Sequence, residues 1–134
     1  MKLLLDTHII LWAFSDDDHL SEKARTLILD RDNTVYYSLI SVWELSIKHM
    51  LHPDQFVLDP AEFCNLCRAS GYYEMPLEES HIITLESLKQ KKKVKQHNDP
   101  FDRMLIAQAK SEGMTLLTHD RMSKLYEEKC LLYV

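Results

Sequence analysis

Apolar positions in this chain fall into short continuous runs and longer stretches at helical spacing, with polar residues, prolines and glycines between them. The run from Lys2 to Leu5 is apolar up to Asp6, the pattern of a buried parallel strand whose carboxyl end presents a carboxylate. His8 to Phe14 and Ser21 to Asp30 predict two helices. The second is opened by Ser21 and carries Ala24, Leu27 and Ile28 at helical spacing. Val35, Tyr36 and Tyr37 make Thr34 to Ser38 a strand, after which Ser41 opens a helix to about Met50. Pro53 and Asp54 break that helix, Asp59-Pro60 starts another, and Gly71 ends it before a short strand, Tyr72 to Met75. Glu78 to Gln90 predicts a further helix. Asp99-Pro100 opens the next, which ends at Gly113, and Met114 to Thr118 and Leu131 to Val134 predict the last strands.

Strands alternating with helices imply an α/β chain: a three-layer α/β/α fold around a mainly parallel central sheet. No repeat or boundary divides the sequence, so residues 1–134 are expected to form one domain. Composition agrees, with 46% apolar residues and only 2 glycines, which excludes a disordered or collagen-like chain. The longest apolar runs, Leu3 to Leu5 and Met114 to Leu117, fall far short of the roughly 20 residues that cross a bilayer. Asp6 and His8 also interrupt any secretory signal, so a cytoplasmic protein is expected. Cys64 and Cys67 lie inside the helix predicted from Ala61 to Ser70 and lack a second pair, so they read as ordinary reduced thiols.

The net charge of −5 disfavours a nucleic-acid partner until its distribution is considered. Lys89, Lys91, Lys92, Lys93 and Lys95 concentrate positive charge just before Asp99, where they either contact a phosphate backbone or form a solvated face.

The acids carry the chemistry. In an open parallel sheet, ligands bind beyond the carboxyl ends of the strands. Asp6 and Asp120 each follow an apolar strand closely, although either also suits a turn cap. Glu44 and Asp102 each lie three residues after a capping residue, Ser41 and Asp99, in helices whose first turns face the same edge. A capping box explains either one alone. Four carboxylates brought together would repel one another unless protonated or neutralised by a hard cation, Mg²⁺ or Mn²⁺. Such an ion supports metal-assisted phosphodiester hydrolysis.

Four stretches then carry a resemblance: Leu4-Leu-Asp-Thr-His-Ile-Ile-Leu-Trp12, Ser41-Val-Trp-Glu-Leu-Ser-Ile-Lys48, Asp99-Pro-Phe-Asp-Arg-Met-Leu-Ile-Ala-Gln-Ala109 and Leu116-Leu-Thr-His-Asp120. In this order they resemble the signature blocks of PIN-domain ribonucleases of the VapC type, the toxins of type II toxin–antitoxin systems. The resemblance implies that Asp6, Glu44, Asp102 and Asp120 are the catalytic, metal-holding acids and that Thr118 is a hydroxyl beside them. Asp99 fits either an additional acid or a helix cap, with the cap favoured. It further implies Mg²⁺-dependent endoribonuclease activity, a homodimer, and inhibition by a cognate antitoxin lying across the site.

Arg103 is expected to pair with a neighbouring acid, or to approach a phosphate, and Lys48 to pair with Glu44 one turn away. His8, His97 and His119 are expected around the acids or at the surface. Trp12 and Trp43, with Leu11, Leu45 and Ile47, are expected in the core or at a dimer interface. Two rivals stand beside this reading. A receiver-like or phosphatase-like domain would need an acid adjacent to Asp6 or a later catalytic lysine, and Asp6-Thr7-His8 supplies no adjacent acid. A non-catalytic PIN-like binding module would hold a partner peptide and leave RNA intact.

Overall fold

The computed structural model describes residues 1–92 and 95–134. Five strands, β1 (Lys2–Leu5), β2 (Thr34–Ser38), β3 (Tyr73–Met75), β4 (Thr115–Thr118) and β5 (Leu131–Tyr133), form one sheet in the order β3-β2-β1-β4-β5. All four pairings are parallel. The helices are α1 (Thr7–Ser15), α2 (Glu22–Leu29), α3 (Leu39–Leu51), α4 (Pro60–Ala69), α5 (Glu79–Thr84) and α6 (Pro100–Glu112). Short 3₁₀ turns span Leu85–Ser87 and Arg121–Leu125.

The central position of β1 explains why its leucines are all buried: successive side chains point to opposite faces, and both faces are covered. Leu3 and Leu5 join Val35, Tyr37 and Leu117 in a core with Ile9 of α1, Ala24 of α2, Leu45 of α3 and Phe63 of α4. Leu4 joins Leu116 in the opposite core with Leu105, Ile106 and Ala109 of α6, and with Met122 and Tyr126. Truncating Leu4 to alanine would cost roughly 2–5 kcal/mol at such a site.

Local signals set the helix ends. Ser21 Oγ accepts from the Ala24 amide at 3.1 Å, and Asp59 Oδ1 from the Glu62 amide at 2.9 Å. Gly113 closes α6 in the left-handed conformation, φ 66°, with its amide bonded to the Ala109 carbonyl.

Two expectations change. The helix over Glu78 to Gln90 stops as α5 at Thr84 and unwinds after Ser87. Gln90 instead forms an antiparallel bridge with Tyr126, and the Lys91 amide bonds the Leu125 carbonyl at 2.7 Å, so tertiary pairing overrides local helix preference. The third helix begins at Leu39 with Ser38 as its cap, accepting from the Ile40 amide at 3.0 Å, so Ser41 lies inside it. Among the described residues, no helix is long and apolar enough to cross a membrane.

Candidate active site

The sheet order creates one switch point. The chain leaves β1 for β2 on one side, and later returns past β1 to lay β4 on the other. A crevice therefore opens beyond the carboxyl ends of β1 and β4. Asp6 is the first residue past β1, and Asp120 follows β4 by two. Because α3 follows β2 directly and α6 runs back into β4, both helices begin at this edge, which brings Asp102 there in the first turn of α6 and Glu44 in the second turn of α3.

Asp6 caps α1 by backbone alone, so its carboxylate is not spent on the helix. Its Oδ2 accepts a 2.7 Å hydrogen bond from the Thr118 hydroxyl, while its amide bonds the Leu117 carbonyl at 3.0 Å. Glu44 is buried, 8% exposed, with Oε2 at 3.1 Å from Lys48 Nζ, the pairing expected from their spacing. Thr7 Oγ1 lies 2.9 Å from Glu44 Oε1 and 2.8 Å from Ser41 Oγ. The carboxylate only accepts, so Thr7 spends its one proton there and Ser41 donates to Thr7.

Asp102 sits in the first turn of α6, its amide bonded to Asp99 Oδ1 at 3.0 Å, so Asp99 is the cap. The Asp102 carboxylate stands 3.3 Å from His97 Nε2. Asp120 is exposed; its Oδ1 accepts from the Met122 amide at 2.9 Å, and its own amide donates to Thr118 Oγ1 at 3.1 Å. Thr118 therefore links Asp6 to Asp120.

Electrostatics tie the acids together. Burial, followed by the charges of Asp6, Asp99, Glu44 and Asp120, pushes the Asp102 carboxyl up to about 8. Asp6 is also raised, by burial first and by Glu44 further down, against the Thr118 hydrogen bond and His8, which pull it back. An open pocket of about 360 Å³ beside them is lined by Asp6, His8, Trp12, His119, Asp120 and Arg121.

With the fold and crevice in view, the sequence of residues 3–128 matches the family model for the PIN domain. The chain belongs to the PIN domain family. Solved PIN-like folds agree. A chain of VapBC2 from Rickettsia felis, bound to a DNA fragment from their promoter, aligns over 100% of this chain and 98% of its own, with TM-score 0.68 and 16% identity. A chain of DNA-bound VapBC from Salmonella typhimurium aligns over 99% and 98%, with TM-score 0.64 and 16% identity. One of VapBC-1 from nontypeable Haemophilus influenzae aligns over 99% and 98%, with TM-score 0.60 and 16% identity. No curated protein sequence matches the chain.

The PIN crevice fits a hard divalent cation. Its donors are carboxylate oxygens, the Asp102 carboxyl is raised by burial first and then by four neighbouring acids, and Lys48 is already paired with Glu44. The tightest cluster of metal-type ligands among the described residues is elsewhere, formed by Glu78, His81 and Glu112 within 4.8 Å of one another. Both ring nitrogens there are engaged. His81 Nδ1 accepts from the Glu78 amide at 3.0 Å and faces Gln108 Nε2 at 3.3 Å, so Nε2–H donates to Glu112 Oε1 at 2.7 Å.

Other residues depart from expectation. Among the described residues Arg103 has no acid within ion-pair distance; its guanidinium donates to the Tyr126 hydroxyl at 3.2 Å and the Leu85 carbonyl at 3.3 Å. Trp43 is 58% exposed, outside the core, packing edge-on against Phe101. Trp12 is half-buried, its ring flanked by His19 and His119, whereas Leu45 is fully buried. His119 is fixed by a bond from Nδ1 to the Val134 carbonyl, and His8 is exposed at the rim. Lys89, Lys91, Lys92 and Lys95 are exposed; Lys93 lies outside the described residues. Lys89 stands beside Gly113 and Met114, at the opposite end of β4 from Asp120. Burial pushes the Cys67 thiol up to about 12, the behaviour of an inert reduced cysteine. Sequence reasoning missed Thr7 and Ser41. Their only signal is adjacency to Asp6 and the three-residue spacing that puts Ser41 and Glu44 on one helix face.

Proposed function

We propose that residues 1–134 form one PIN domain that hydrolyses RNA phosphodiester bonds with a bound Mg²⁺ or Mn²⁺, and that it is the toxin of a toxin–antitoxin pair. The observation that carries this reading is the raised Asp102 carboxyl among Asp6, Glu44, Asp99 and Asp120 at the switch point of the sheet. Asp6, Glu44, Asp102 and Asp120 hold the metal, with Thr118 as a supporting hydroxyl. A divalent ion there polarises a phosphate oxygen and makes a bound water a better nucleophile.

The protein's own groups prepare that chemistry. Thr118 and Thr7 each donate to one oxygen of Asp6 and Glu44, which fixes the rotamers of both acids. Lys48 holds the second oxygen of Glu44. Arg121, exposed on the pocket wall with His8, attracts the RNA phosphate toward the acids. The exposed Lys91, Lys92 and Lys95 extend that attraction over the surface.

A groove beside the acids supports the partner reading. The carboxylate pocket continues through His8 and Trp12 into a groove of about 380 Å³ with Leu11, Phe56, Val57 and Leu58 on its walls. Val57 is 74% exposed. An amphipathic antitoxin segment lays its apolar side in this groove, and an arginine from it pairs with the acids in place of the metal. The VapBC assemblies that share the fold support this partner class. The protein acts in the cytoplasm, as a homodimer.

RNA cleavage after metal removal tests the proposal. EDTA abolishes cleavage, Mg²⁺ or Mn²⁺ restores it, and Asp6→Asn stays inactive at any metal concentration while remaining folded. Metal binding with intact RNA would leave a binding module instead. Hydrolysis of phosphomonoesters alone would leave a phosphatase. For the partner, mutating the antitoxin arginine should relieve inhibition and excess Mg²⁺ should weaken the segment's binding; no effect of either would refute charge replacement.

A further inference from the structure

A chain of polar contacts runs from Arg103 to Asp102, with hydrogen bonds as far as His97 and an ion-pair-range approach at Asp102, and its direction follows from the chemistry of its members. It starts at Arg103, whose guanidinium can only donate, so the Tyr126 oxygen 3.2 Å from Nη1 accepts there. The single Tyr126 proton must then go elsewhere. His97 Nδ1 lies 3.0 Å away, while the competing His97 carbonyl is at 3.5 Å, so the hydroxyl donates to Nδ1. A neutral His97 ring with Nδ1 accepting carries its proton on Nε2, and Nε2 stands 3.3 Å from Asp102 Oδ2.

The ring is held as firmly from behind. Gln90 clamps the His97 backbone on both sides: its Oε1 accepts from the His97 amide at 2.7 Å, and its Nε2 donates to the His97 carbonyl at 2.9 Å. Gln90 is itself bridged to Tyr126. Two residues that meet only through the tertiary fold thus set both the place and the tautomer of His97.

We propose that His97 is a positioning residue for Asp102. It turns its Nε2–H toward Oδ2 and so would leave Oδ1 the freer oxygen for a metal, with Tyr126 and Arg103 as the support that keeps the ring in this tautomer. The inference deepens the nuclease reading and rests on it. It gives Arg103 a role different from phosphate contact. Carboxylate ligands gain a defined orientation when one oxygen is hydrogen-bonded, and losing such a partner typically costs about 10- to 100-fold in metal affinity or activity.

The experiment combines ring tautomer, Mn²⁺ affinity by calorimetry, and kcat and KM on RNA. In the metal-free protein, at a pH where the ring is neutral, long-range ¹H–¹⁵N spectra should show His97 protonated at Nε2. His97→Ala should weaken Mn²⁺ binding about 10- to 100-fold and lower kcat with KM little changed. His97→Gln, whose amide nitrogen reaches near the place of Nε2, should recover most of both. His97→Asn, which places its amide near Nδ1, should not. Tyr126→Phe should fall between wild type and His97→Ala, and melting curves should show all variants folded. Protonation at Nδ1, or unchanged Mn²⁺ affinity in His97→Ala, overturns the positioning role while the nuclease reading stands. Equal loss in His97→Gln and His97→Ala likewise reduces His97 to a structural residue. A wild-type protein that neither binds Mn²⁺ nor cleaves RNA brings down both readings.

Discussion

In the cluster of Glu78, His81 and Glu112, ligand-type atoms crowd within 4.8 Å, whereas each acid of the crevice has partners of its own: Thr118 links Asp6 to the Asp120 amide, Thr7 holds Glu44, and His97 stands beside Asp102. Proximity alone would select the first as the metal centre. The hydrogen bonds select the second. His81 is fully buried, and both of its ring nitrogens are taken up by Glu78, Gln108 and Glu112, so the cluster fastens α5 to α6. In the crevice several acids share one partly buried edge, and burial first, then the charges of its acidic neighbours, push the Asp102 carboxyl up to about 8. A site for a cation is marked by negative charge that the protein leaves unmatched beside a pocket, more than by ligand spacing.

The largest expected effect follows from the raised Asp102 carboxyl. Asp102 titrates at about 8 when folded, against about 3.9 for an unfolded aspartate. Between those values the folded state binds more protons than the unfolded, so metal-free stability is highest at low pH and falls as pH rises toward 8. After allowance for partial solvent access the fall is on the order of 3 kcal/mol. Urea denaturation in EDTA at pH 5 and pH 8.5 measures it. Asp102→Asn should flatten most of the slope, leaving the part due to Asp6, which is raised in the same direction. Saturating Mg²⁺ should remove it in the wild type. Equal stability at both pH values would mean that the acids do not share a field.

The other cluster should respond in the opposite sense. His81→Ala strips Glu112 of its donor and Glu78 of its amide acceptor, a loss of about 2–3 kcal/mol. Thermal unfolding should show it, and RNA cleavage below the transition should be unchanged. A rise in melting temperature with Zn²⁺ in the wild type, absent from His81→Ala, would make the buried cluster a metal site after all.

The smallest effect separates lysines by position. Replacing Lys91, Lys92 and Lys95 with glutamine should flatten the salt dependence of RNA binding, by about 0.7 in slope for each phosphate that is no longer neutralised. Lys89→Gln should change little, because Lys89 stands at the far end of β4. Equal slopes for both sets would return the run to a solvated face.

Much of this was legible in the sequence because the relevant signals are local. Leu3 to Leu5 ending at Asp6, and Leu116 to Thr118 just before Asp120, name both strands and both acids of the switch point. Asp99-Pro100 and Gly113 bound α6 as the capping rules require. What stayed hidden depends on residues far apart in the chain. Nothing near Arg103 announces that Tyr126, 23 residues on, takes its guanidinium away from the acids. Nothing in Glu78 to Gln90 announces the bridge to Tyr126 that stops α5. Ser38 and Ser41 are both plausible caps, and only the continuation of helix directly from β2 decides between them.

Mn²⁺ calorimetry on three metal-free proteins, the wild type, Asp102→Asn and His81→Ala, tests most directly that the crevice holds the metal. Binding is expected in the wild type, with near loss in Asp102→Asn and wild-type affinity in His81→Ala. Binding that survives Asp102→Asn and disappears in His81→Ala would place the metal in the buried cluster and contradict the account.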